Sequence, residues 1–272
     1  MVHVLPYGVF QEEIELCKSK YLEFLQAKRT NYLGLIKKSN ETWLSFQQLD
    51  EILASELEDL EVMSSAVDLF PLMLYARSLA AFRFLIPLAF SGAILEAGLL
   101  MRSCVESAVF AHKLKSEPTL VPIFMGKASS PNGKKLFHAS FVANRKSSLF
   151  SGSIELDELY EFWSSYSEIS THANATDLSL RYQEFGKTDT HQQIGVHFFE
   201  RNEKILGMAI FQLLRTSELV EKVLYSDFEL RLNLDNNLQG KRDRFANTKE
   251  RVRLSMIQKF KLVPNYQGLP VT

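Results

Sequence analysis

Between Phe84 and Met101 the chain carries a single ionisable side chain, Glu96, in an apolar run long enough to cross a bilayer. Whatever fold the chain adopts must either place this run in lipid or bury it. Pro87, Gly92 and Gly98 lie within it and Arg102 follows at once. A charge at the centre of a lone span costs roughly 2.5–3.5 kcal/mol, whereas the central helix of a bundle buries such a pattern against its neighbours. The run is read as the core helix of a soluble protein with no membrane partner. That reading requires further amphipathic helices to cover it.

Those helices are present in the pattern. Phe10, Ile14, Cys17, Tyr21, Phe24, Tyr32 and Leu35 recur at helical spacing, and a second helix follows over 40–61 with Asn40 or Thr42 as its cap. Residues 63–84 and 87–115 are richer in Leu, Ala and Phe and form the centre, with Pro87 suited to the first turn of the second. Further helices are expected over 134–149, 154–175, 203–228 and 241–261. The loop at Ser129-Ser130-Pro131-Asn132-Gly133 separates two of them. After Thr176, alternation around Gly186-Lys187-Thr188-Asp189 predicts a β-hairpin. The expected architecture is therefore all-α, a multi-helix bundle with a small β-hairpin insertion near residues 178–199. It forms one domain over 1–262, with an irregular tail over 263–272.

With 46% hydrophobic residues, 12 Gly and 8 Pro, the composition excludes disordered and collagen-like chains. The 31 Lys+Arg against 32 Asp+Glu argue against a protein coated overall by nucleic acid. The balance hides segregation: residues 1–70 hold 12 acidic and 6 basic residues, and 241–261 hold 8 basic and 2 acidic. The last helix therefore either offers Arg242, Arg244, Lys249, Arg251 and Arg253 to an anion such as RNA, or faces its own acidic N-terminal helices. Lys134, Lys135, Arg145 and Lys146 form a second basic stretch. Cys17 and Cys104 are the only cysteines and lack metal-ligand spacing, which fits a reducing cytoplasm, and no signal peptide is expected.

Familiar catalytic signatures fail on inspection. Gly186-Lys187-Thr188 would need a glycine where Arg181 stands and a following helix, so it is a turn and not a phosphate loop. There is no G-x-S-x-G, H-E-x-x-H or cysteine pair, and no cofactor is implied. Glu168, His172, His191 and His197 leave a metal site as an alternative, without a defined ligand set.

Two clusters carry the remaining signal. Arg102 and Glu106 are one turn apart on a helix that is apolar nearly all round, which places them inside the bundle as a paired charge. The Arg-before-Glu order is the weaker one for an intrahelical bridge, so at least one should reach another helix. Arg102 suits an anion anchor and Glu106 a base or positioning group. The hydroxyl-rich segment 163–174 contains Tyr166 and His172, with His172 a candidate general acid/base. Together Arg102-Ser-Cys-Val-Glu106 and Tyr166-Ser167-Glu-Ile-Ser-Thr-His172 resemble a group of all-helical bacterial proteins similar to the HEPN superfamily. The resemblance implies an RNA-linked role in defence or toxin–antitoxin-type regulation, with Arg102, Glu106, Tyr166 and His172 as catalytic candidates. The superfamily's nuclease motif, Arg followed after four to six residues by His, has no counterpart before His172. A non-catalytic module that forms a homo-oligomer is the competing expectation.

Overall fold

In the computed structural model, residues 20–60, 66–170, 182–187, 192–229, 232, 236–264 and 270–271 are described. The architecture is an all-α multi-helix bundle. The long helices are α1 (Lys20–Lys38), α2 (Asn40–Asp59), α3 (Ala66–Ser91) and α4 (Ile94–Ser116). Shorter pieces follow as α5 (Val121–Met125), α6 (Pro131–Phe141), α7 (Arg145–Leu149) and α8 (Ile154–Ser170), and the long α9 (Glu203–Phe228) and α10 (Asn236–Phe260) close the series.

The apolar run from Phe84 to Met101 is divided between two helices. Pro87 lies inside α3, and the chain breaks at Gly92, whose φ of +89° is open to glycine at little cost. Pro87 was expected to start a helix. It is instead tolerated near the end of one, where few backbone bonds remain to be lost. The run is thus a helical corner, and α3 and α4 pack against each other as the centre of the bundle. Among the described residues, Leu69–Ser91 is the one helical stretch long and apolar enough to cross a membrane. It contributes Phe82, Leu85, Ala89 and Phe90, all fully buried, to the core.

Around this hairpin, α9 and α8 lie along α4, α1 and α2 contact α3, and α10 lies along α2. Aromatic rings fill the joints: Phe46 meets Phe82 and Phe90 between α2 and α3, and Phe110, Phe124, Phe137 and Phe141 join α4, α5 and α6. Side-chain caps define the starts of three helices, and at α8 Ser153 Oγ accepts from the Leu156 amide. Ser130 Oγ accepts from the Gly133 amide at α6, and the Asn202 side chain accepts from the Lys204 and Ile205 amides at α9.

Several boundaries differ from the sequence expectation. The helix expected over 134–149 is interrupted between α6 and α7, where Asn144 takes a left-handed φ of 51°. The last helix begins at Asn236, inside the stretch expected as a loop, because Asn237 and Gln239 can sit exposed once Leu238 is buried. Tyr182–Lys187 (β1) pairs antiparallel with Gln192–Val196 (β2), so Gly186 and Lys187 belong to a strand and not to the turn. The tail expected to be irregular carries the short antiparallel pair Val263–Pro264 (β3) and Pro270–Val271 (β4).

Candidate site at Arg102, Glu106, Arg145 and Trp163

Arg102 and Glu106 project from the middle of α4 toward the edge where α7 and α8 meet it. The Arg102 Nη2 atom stands 3.2 Å from Glu106 Oε1, an intrahelical pair one turn apart. The same carboxylate oxygen accepts a hydrogen bond from Trp163 Nε1 of α8 at 3.1 Å and lies 3.9 Å from Arg145 Nη1 at the start of α7. The expectation that one member of the pair would reach another element therefore applies to Glu106.

The expectation of full burial does not hold. The side chains of Arg102, Glu106 and Arg145 are 27%, 34% and 26% exposed, so the cluster sits at a half-open edge of the bundle. The reason is that the stripe on which they lie changes character along its length: Val109 is fully buried, whereas Leu99 is exposed.

The indole organises this edge. Arg102 and Arg145 place their guanidinium carbons 5.4 and 4.7 Å from the Trp163 ring centroid, within cation–π range. Phe150 and Tyr160 pack against Trp163, and Lys146 Nζ lies 4.7 Å from the Tyr160 ring. Two guanidinium groups thus surround one carboxylate, an excess of positive charge. The buried Nε of Arg102 has no hydrogen-bond partner. Such an arrangement can take an oxyanion alongside Glu106, using donors already fixed in direction.

Tyr166 is not part of this edge. It is buried, and its hydroxyl lies 3.2 Å from Thr216 Oγ1 of α9. Burial pushes its phenol well above the ordinary range, so it is a core donor or acceptor and not an accessible acid. His172, the fourth candidate, lies outside the described residues, as does His191. Among the described residues no group of three or more His, Cys, Asp or Glu gathers as a metal would require.

The candidate anion-binding residues of α10 are held largely by the chain's own acids. Arg242 contacts Glu221 and lies 3.8 Å from Glu56, Lys249 lies 2.6 Å from Glu218, and Arg251 lies 3.1 Å from Glu41. Arg253 pairs with Glu250 of the same helix at 2.7 Å, while Arg244 is exposed. The basic end thus packs on the acidic α2 and on α9. A phosphate at these positions would have to compete with preformed ion pairs.

Sequence reasoning passed over the buried polar residues of α9. Arg215, Glu218 and Glu221 recur every third residue in an otherwise apolar helix, which was a legible signal. Arg215 bridges Glu218 and Glu158, both at 2.9 Å. Asp227 of α9 holds His112 Nδ1 of α4 at 2.7 Å, and this hydrogen bond raises the imidazole's pKa despite its burial. Cys104 is buried, and desolvation pushes its thiol to about 12, which removes it as a nucleophile.

No protein-family model, no curated protein and no solved structure matches this chain.

Proposed function

We propose that this protein is an RNA-linked helical-bundle protein that engages a phosphate group at the α4–α7–α8 edge and acts in defence or toxin–antitoxin-type regulation. The observation that carries the reading is the excess of guanidinium charge at a half-open edge: Arg102 and Arg145 converge on the single carboxylate of Glu106. Arg102 and Arg145 anchor the phosphate. Glu106, held by the Trp163 indole, is the positioning group or base beside it. Exposed Lys134 and Lys135 on α6 extend the positive surface away from the site, while Lys146 on α7 is paired with Glu161 at 3.4 Å. The resemblance to HEPN proteins supplies the RNA part of the reading. The β1–β2 pair is read as a hairpin insertion on the bundle, outside its core.

A titration with single-stranded RNA tests the proposal. Trp43 and Trp163 are the only tryptophans, so a Trp43→Phe background makes fluorescence report on Trp163 alone. Binding should weaken as salt rises, with a slope of about 0.7 per phosphate contact on a log–log plot. Arg102→Ala and Arg145→Ala should each reduce that slope by about one contact. The absence of binding by the unsubstituted chain at low ionic strength would eliminate the proposal.

A further inference from the structure

Glu56 of α2 and Glu221 of α9 face each other in the interior, at 0% and 4% exposure. Tyr75 of α3 donates its hydroxyl to Glu56 Oε2 at 2.7 Å. Arg242 of α10 reaches both acids, contacting Glu221 Oε1 and standing 3.8 Å from Glu56 Oε1. Tyr225 of α9 lies beneath the Arg242 guanidinium at 3.5 Å. These groups, from four helices, are the titratable and charged neighbours of the pair. If both acids were ionised, one guanidinium would face two carboxylates and leave an uncompensated negative charge in the core. Glu56 Oε1 also lacks a hydrogen-bond partner among the described residues, as a carboxyl sharing a proton with a neighbouring acid would in heavy-atom geometry.

We infer that Glu56 and Glu221 hold one proton between them, and that this proton fastens α10 to the bundle. Burial, reinforced by the neighbouring Glu221 charge, pushes the Glu56 carboxyl up to about 9. Folding is therefore favoured by this group below the ordinary carboxyl range, and the contribution declines as pH rises toward about 9. The helix that gives way is α10, because the other three walls are joined by Phe46, Leu49, Ile52, Leu53, Tyr75 and Phe228, each no more than 2% exposed. Leu238, Phe245, Val252 and Met256 of α10 are buried, but its contacts at the rim are polar: Lys241 donates to Ser55, Arg251 to Glu41 and Lys249 to Glu218. Parting α10 from α2 admits water to an ionised Glu56.

Amide hydrogen exchange on the full chain, corrected for the intrinsic pH dependence of exchange, tests this between pH 7 and pH 10. The protection of α10 peptides should fall at least tenfold relative to α4 peptides. In Glu56→Gln it should stay level, because the amide keeps the Tyr75 bond, donates to Glu221 and cannot ionise. Glu221→Gln, which also removes the shared proton, gives the same reading should the first variant fail to fold. Protection of α10 that tracks α4 across the range, or a fall in the variant equal to that of the unsubstituted chain, overturns the inference.

Discussion

Glu56 and Glu218 are both buried acids, yet their surroundings push them in opposite directions. Glu56 has one guanidinium shared with a second acid, and desolvation dominates. Glu218 is also pushed up by desolvation, but Lys249, Lys222 and Arg215, at 2.6, 3.3 and 2.9 Å, outweigh it and hold the carboxyl below its ordinary range. Its stabilising contribution is present at neutral pH and is lost as acid brings the pH down through that lowered value. Replacing Glu218 with Ala leaves Arg215 and Lys249 partly buried and without this partner. The expected cost is ~3–5 kcal/mol, read as a lower urea midpoint at pH 7 with unchanged slope. Trp163 makes the complementary point about neutral residues: its indole matters less as bulk than as a donor that fixes Glu106 between two cations.

The α3–α4 corner shows how an element boundary fixes more than a helix end. Gly92 reverses the chain with a positive φ, and its carbonyl accepts from the Glu200 amide at 2.8 Å, tying the segment after β2 to the corner. A Cβ at this position would lie 3.0 Å from the Glu200 carbonyl oxygen and 3.3 Å from its nitrogen, both backbone atoms that cannot swing away. Gly92→Ala should therefore destabilise the protein by about 1–3 kcal/mol, seen as a lowered thermal midpoint. The α8 helix likewise serves two neighbours. Residues three apart on it face different neighbours, so Trp163 serves the α4–α7 edge while Tyr166 is committed to α9. The sequence segment that suggested one site therefore feeds two environments.

Across the whole molecule, the dependence of stability on pH follows from which groups were ionised by folding and which were neutralised. His112, raised mainly by its hydrogen bond to Asp227, stabilises the fold below the ordinary histidine range. That contribution is lost as pH rises through its elevated value. Glu56 declines over a wider range, toward about 9. The thermal midpoint should thus fall from pH 6 to pH 9.5, and a His112→Gln, Glu56→Gln double variant should flatten the fall, as calorimetry across that range would show.

The helical class was legible in the sequence because an apolar stripe of period 3.6 must be buried whatever its neighbours are. The pairing of Arg102 with Glu106 was legible for the same local reason. The acidic front and basic end were also visible as segregated charge, and only packing decided that they meet, through α10 lying along α2. Arg145 and Trp163 could not be assigned to the site, since they approach Glu106 across 39 and 57 residues of chain, and no periodicity encodes such a distance. Local pattern determined which faces were apolar and where charges clustered. Which buried acid received cations, and which was left to hold a proton, was decided by the tertiary structure, because the energy of a charge depends on everything packed around it.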